Sequence, residues 1–220
     1  VDPASAFGIT AAAGVGVGTI SPAHQPDDDG GSAPNDGPGP DGPPVSSLFV
    51  PGQLVFPVAK WQGIAPERSQ EYRAADHHGV DLMFSRAAAY GADAPYLAGT
   101  PNGTARWFMP EDQWAIACAD AAIWSTGLGP TGIFVVLDHG APYATFYVHL
   151  DTLDDAIPMN ISRGEGKIAI AAGQRLGRIG FSPRDQAKLK HLHFEVWKDG
   201  GSEAHIDPWP LIQGARMIES

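Results

Sequence analysis

The amino-acid sequence predicts an all-β domain, mainly antiparallel, with its strands packed as a compact sandwich or barrel. Three observations predict it. From residue 46 onward, short segments rich in β-branched and aromatic residues recur between Gly and Pro breaks. Several of them alternate apolar with polar residues at a period of two. No segment sustains a helical period, and LDTLDDAI offers at most a turn or two. With 43% hydrophobic residues in 220, the chain can bury a sizeable core.

Taken in order, LFVPGQLVFPV reads as an extended entry broken by prolines. WAIACADAAIWST alternates and is bounded by Pro110 and the Gly127–Gly129 turn, which suits a strand or a bent hairpin. GIFVVLDHG is β-branched and ends in an Asp-His-Gly turn, and YATFYVHL follows at once, so the two form a hairpin. KIAIAAGQRLGRIG reads as short strands punctuated by glycine, and HLHFEVWKDGG as a strand ending in a Gly turn. Cys118, in an apolar strand, is assigned to the core.

The chain divides at about residue 45. Residues 21–45 are dense in Pro, Gly and Asp and cannot bury enough surface to offset their ordering entropy. Residues 1–45 are therefore expected to be a disordered tail or linker, and residues 46–220 the folded domain. Residues 4–20 are small and apolar, lack the basic leader of a secretory signal, and read as a flexible stretch. The formal charge is -11, from 14 Lys and Arg against 25 Asp and Glu. Six of those acids and no base lie in residues 1–45, which leaves 19 acids against 14 bases in the body, a net of -5. An acidic chain without a basic patch argues against nucleic-acid binding. A single cysteine excludes an intrachain disulfide framework and an all-cysteine zinc site. No run of about 18 apolar residues is available to span a membrane.

Eight histidines are present, and two groups stand out. In His77-His78-Gly79-Val80-Asp81, a His and an Asp four positions apart can converge on one metal if the chain bends, and Gly79 permits a bend. In HLHFEV, strand alternation puts His191, His193 and Glu195 on one face and Leu192, Phe194 and Val196 on the other. In YVHL, the same alternation groups Tyr147 with His149, opposite Phe146, Val148 and Leu150. His77, Asp81 and one of His191 or His193 would supply three protein ligands, the number found in catalytic zinc sites. His149 and the remaining His would flank the open position, where they can relay protons or stabilise an oxyanion.

DHHGVDL, FYVHL and HLHFEV, in that order, resemble the three motifs of the lysostaphin/LytM-type zinc metallopeptidases, H-x-G-x-D, Y-x-H-L and H-x-H-F-E. IFVVLDHG, AAGQRLGRIG and HIDPWPLI are similar to further stretches of the same family, so the resemblance covers roughly residues 50–212. It implies the family's antiparallel β-sandwich or barrel-like domain, with a groove whose floor carries Zn2+. It implies His77, Asp81 and His193 as the zinc ligands and His149 and His191 as the catalytic histidines. The implied activity is zinc-dependent endopeptidase hydrolysis of peptidoglycan peptides, in the stem or cross-bridge, by an extracytoplasmic or secreted protein. Glu195 shares the face of His191 and His193, where it either orients a ligand by hydrogen bonding from behind or faces solvent. His78 occupies the variable position of the first motif. His139 falls in a hairpin turn, and His205 and His24 have no motif partner.

Two regions depart from the pattern. About twenty extra residues follow Asp81, bearing Tyr96, Arg106, Trp107 and Phe108, and are expected to wall the groove. The loop before HLH carries Arg184, Lys188 and Lys190, which would add positive charge beside the site. Two other readings compete: a catalytically inactive LytM-type domain that binds cell wall or activates another hydrolase, and a phosphocarrier domain of similar fold. Inactive relatives lose metal or catalytic positions, whereas all five are kept here. The H-x-G-x-D motif argues against a phosphocarrier.

Overall fold

The computed structural model describes residues 49–91, 106–162, 168–186, 188–198 and 204–220. The expected tail, residues 1–45, lies outside them. The described residues form eleven strands and two short helices. These are β1 (Glu67–Gln70), β2 (Val80–Ser85), α1 (Arg86–Tyr90), β3 (Trp107–Phe108), β4 (Trp114–Ile116), β5 (Ala121–Gly129) and β6 (Gly132–Asp138). They continue with β7 (Tyr143–Leu153), β8 (Ala169–Ile170), β9 (Arg175–Ile179), β10 (Leu192–Lys198), β11 (His205–Ile206) and α2 (Trp209–Ile212). Every pairing between strands is antiparallel, so the fold is the mainly antiparallel β architecture expected.

The main path of the sheet runs β1-β2-β10-β7-β6-β5-β8, with β9 joining β7 and β4 joining β9. The expected β6–β7 hairpin is present, and β5 and β6 form another. WAIACADAAIWST is not a hairpin. Its first part, β4, pairs with β9, while β5 pairs with β6 and β8. The turn of Ala117–Asp120 carries the chain from one part of the sheet to the other.

Strand β7 organises the sheet. Its residues 143–148 pair with β10, and its residues 150–153 pair with β9. Leu150 pairs with Ile133 of β6 as well as Ile179 of β9, so β9 and β10 succeed one another along the edge of β7 opposite β6. The strand changes partner at residue 149.

Alternation explains the core. Val80, Leu82 and Phe84 of β2 and Leu192, Phe194 and Val196 of β10 are fully buried, and they pack with Tyr147, Val135, Leu137 and Leu176. Cys118 lies in this core, where burial pushes its thiol up to about 12. His139 is also buried, hydrogen-bonded to the Asp120 carbonyl (2.8 Å) and to Thr145 Oγ1 (2.8 Å), which makes it a bridge between the β6–β7 turn and the start of β5.

One polar contact deep in the core can be tested directly. The buried Tyr147 hydroxyl accepts the Cys118 backbone N–H at 2.9 Å. Tyr147→Phe leaves that donor without a partner and is expected to cost about 1–3 kcal/mol. Urea titration should show a lower midpoint at unchanged slope; an unchanged midpoint would contradict the assignment.

Candidate metal centre

Register assembles the centre. In the β2–β10 pair, Asp81 lies directly opposite His193, so both side chains leave the sheet on the same face. His77 is added by the turn before β2. There Arg73 and His77 exchange backbone hydrogen bonds (2.8 and 2.9 Å), and the Arg73 guanidinium pairs with Asp76 at 2.8 Å. His77 Nε2 then lies 3.1 Å from Asp81 Oδ1, and His193 Nδ1 lies 2.9 Å from the same oxygen. One ligand atom from each residue lies within 4.8 Å of the others. Two imidazole nitrogens and a carboxylate oxygen converging in this way fit a divalent transition metal such as zinc.

Each imidazole at the site has one ring nitrogen occupied away from it. His77 Nδ1–H donates to the Glu71 carbonyl at 2.7 Å, His149 Nδ1–H to Thr131 at 2.6 Å, and His191 Nδ1–H to Leu189 at 2.8 Å. A carbonyl only accepts, so each Nδ1 carries the proton and each Nε2 is left to face the cleft. His193 is reversed: its Nε2 bonds Glu195 Oε1 at 3.0 Å, and its Nδ1 faces Asp81.

The electrostatics follow. Burial opposes the Asp81 carboxylate, but hydrogen bonds from His193 and His77 outweigh it and lower its pKa. Burial also opposes the His193 imidazolium, yet Asp81 and Glu195 on either side raise it to about 9. His149 goes the other way: burial first, then the neighbouring His191, lower it to about 4 and keep it neutral.

His149 reaches the cleft by breaking its strand. Strict alternation groups it with Tyr147, but Tyr147 is in the core and His149 lines the cleft beside Phe146 and Val148. In the β6–β7 ladder Val148 pairs with Phe134 and Leu150 with Ile133, so His149 is the extra residue of a bulge, with φ +68°. His tolerates this region better than most side chains. The Gly180 N–H donates to the His149 carbonyl (2.6 Å), and the Gly180 carbonyl accepts the His191 N–H (3.0 Å), so one residue ties the two histidines together. A Cβ at residue 180 would lie 2.9 Å from the Asp151 backbone nitrogen, which leaves room only for glycine.

The five residues line a cleft of about 360 Å³, with Gln70, Thr131 and Glu195. A second hollow adjoins it across Gln70, Asp81, Asp185 and His191, and is walled by Met83 and Trp107. Trp107 belongs to the extra segment after Asp81, and β3 carries it there by pairing with β2; residues 92–105, with Tyr96, lie outside the described residues. The loop before β10 does not make the cleft basic. Lys190 pairs with Glu111 (2.7 Å) and Asp151 (3.5 Å), Arg184 is exposed, and the loop residues that line the cleft are Asp185 and Ser182. Cations in a loop sequence show neither which way they point nor which acids they meet.

His205 joins the site although no motif includes it. Its Nε2 is 3.4 Å from Glu195 Oε2, and its ring stacks on His78 at 4.1 Å. His24 lies outside the described residues. Gly79 stands at the expected bend before β2, and close packing against β10 is a second reason for glycine there. A Cβ there would stand 2.5 Å from the Phe194 carbonyl, 2.8 Å from His193 Nε2 and 2.9 Å from Glu195 Cγ.

The motifs and this fold define a peptidase-type domain. Residues 101–208, just under half of the chain, match the model of Peptidase family M23. The matched stretch includes His149, His191 and His193; His77 and Asp81 precede it and are joined to it by the β2–β10 pairing. Among solved structures, the chain is similar to one from the SpoIIQ–SpoIIIAH pore-forming complex, at 14% identity and TM-score 0.50, covering 76% of this chain and 92% of that one. It is also similar to the catalytic domain of the antimicrobial peptidase lysostaphin from Staphylococcus simulans (17% identity, TM-score 0.43, covering 68% and 92%). Csd3 from Helicobacter pylori is a third (18% identity, TM-score 0.45, covering 76% and 34%). The chain spans about a third to a half of the length of the larger relatives. No curated protein matches it.

Gly79→Ala is expected to destabilise the domain by about 1–3 kcal/mol, because backbone and not a flexible side-chain end must give way. Thermal unfolding of the metal-free protein measures this, and an unaltered midpoint would show that β2 and β10 can separate there without cost.

Proposed function

We propose that this protein is a zinc-dependent endopeptidase that hydrolyses peptide bonds of bacterial peptidoglycan. The observation that carries this reading is the convergence of His77 Nε2, Asp81 and His193 Nδ1, with His149 and His191 beside them in an open cleft. His77, Asp81 and His193 are the proposed ligands. What zinc supplies in such a setting is Lewis acidity, which polarises a scissile carbonyl and acidifies the attacking water. His149 and His191 are the proposed catalytic residues, and their rings stand 4.7 Å apart. With Nδ1 tied to Thr131, neutral His149 offers a lone pair at Nε2 and takes a proton from the nucleophile. His191, anchored at Nδ1 to Leu189, presents Nε2 toward the same space, where its protonated form holds the developing oxyanion or protonates the leaving amine.

Peptidoglycan as substrate is supported by the family and by the open form of the cleft, which an extended peptide can cross. The chemistry then belongs outside the cytoplasmic membrane. An inactive, cell-wall-binding domain is the competing reading, and retention of all five residues disfavours it.

Digestion of purified peptidoglycans of different cross-bridge types, with mass spectrometry of the products, tests the function. New amino termini should appear with the wild-type protein, and their absence on every substrate would sink the enzymatic reading. His193→Ala should abolish both zinc uptake and hydrolysis, so retained hydrolysis would remove His193 from the ligand set. His149→Ala should keep about one zinc per chain while losing about 10²–10⁴ in kcat. Loss of the metal in that variant would mean that His149 is a ligand instead.

A further inference from the structure

Glu195 lies on the cleft face of β10, yet it is only 8% exposed, and both of its carboxylate oxygens are engaged. Oε1 meets His193 Nε2 at 3.0 Å. Oε2 accepts the Trp197 indole N–H at 2.6 Å and lies 3.4 Å from His205 Nε2. Residues 193, 195 and 197 alternate onto one face of the strand, so the row is built by a single β-strand. His205 arrives from β11, paired with β10 at Trp197, and its far side is packed against His78.

We propose that Glu195 is a positioning residue: it holds the His193 ring so that Nδ1 is the atom presented to zinc, and Trp197 and His205 hold the carboxylate in turn. This rests on the zinc reading above. An imidazole can offer either nitrogen, but a ring flip about Cβ–Cγ exchanges Nδ1 with Cδ2 and would turn a C–H toward Asp81 in place of the nitrogen. The Glu195 bond occupies Nε2 and stops that rotation. The anchor must accept two donors at once, since His193 Nε2–H and the Trp197 indole N–H both point at it and an indole N–H cannot accept. A carboxylate has two acceptor oxygens, whereas a carboxamide has one. Glu195→Gln therefore sets the two donors in competition for a single oxygen, with the amide N–H₂ forced against the other. Gly79 closes the remaining side, since any Cβ there would press on His193 Nε2 and Glu195 Cγ together.

The test is zinc affinity, measured at fixed pH by competition with a chromophoric chelator, with thermal melts of the metal-free proteins beside it. Relative to wild type, Glu195→Gln is expected to weaken binding by about 10–100-fold, the usual effect of removing the carboxylate behind a ligating histidine. Trp197→Phe alone keeps the carboxylate, with His205 still beside Oε2, and should weaken binding by less than Glu195→Gln does. The double variant Glu195→Gln/Trp197→Phe should recover most of the loss, because the amide oxygen is then free to serve His193. A merely structural role would make the second substitution worsen the first. Glu195→Asp withdraws the acceptor by one methylene and should weaken binding in the same direction, which keeps a readout if the Gln variant does not fold. Binding by Glu195→Gln or Glu195→Asp within about threefold of wild type, or a double variant no tighter than the single one, would overturn the proposal. A wild type that takes up no zinc would overturn the metal reading along with it, whereas wild-type uptake matched by Glu195→Gln overturns this inference alone.

Discussion

The site depends on one register, Asp81 opposite His193 in the β2–β10 pair. A slip of one residue would send every side chain of the strand to the other face, putting His193 and Glu195 into the core and Phe194 into the cleft. The core prevents this. Val80, Leu82 and Phe84 on β2 and Leu192, Phe194 and Val196 on β10 are all fully buried on the opposite face. Burial of six large apolar side chains therefore sets the position of two polar ones. The apolar half of each strand does no chemistry, but it carries the energy that fixes where the chemistry can happen.

The second constraint is the change of partner along β7. Its neighbour on one edge is β10 up to Val148 and β9 from Leu150, and the residue at the junction is His149. A regular strand would bury this imidazole with Tyr147. The bulge turns it into the cleft, at a backbone cost of about 1–3 kcal/mol that the surroundings must offset. Those surroundings are the hydrogen bonds to Thr131 and Gly180. The carbonyl of the same residue, Gly180, accepts the His191 N–H, so the strained residue and its partner share an anchor.

Much of this was legible in the chain. Alternation in HLHFEV separates the cleft face from the core face correctly, because β10 is regular over its length. The order of the three motifs identifies five residues that the fold brings together. Alternation failed at His149 because a bulge is created by what lies on either side of a strand, not by its own residues. It failed for WAIACADAAIWST for a similar reason: two partners of very different sequence position divide that segment. His205 opens the HIDPWPLI stretch but belongs to none of the three motifs, and its contact with Glu195 comes from the β10–β11 pairing. The charge of the loop before β10 misled because Lys190 is drawn away to Glu111 and Asp151. A glycine is visible in a sequence, but a close approach is visible only in space, and Gly79 serves one in addition to the expected bend.

The cleft also explains why so many ionisable groups can be buried together. Asp81 and Glu195 flank His193, and an imidazolium between the two carboxylates offsets one of their two negative charges. None of the buried side-chain polar atoms described lacks a hydrogen-bond partner. On the proposed reading, a cation at the ligand atoms takes the place of the proton on His193 Nδ1 and leaves the Glu195 side of the ring as it was. The metal-free and metal-bound forms would then differ by an exchange of positive charge at one face of one ring. Such an exchange requires little rearrangement of the sheet, so the site can be organised before the metal arrives. Preorganisation of this kind requires that everything behind His193 be rigid, which is what the row from Trp197 and His205 through Glu195 provides.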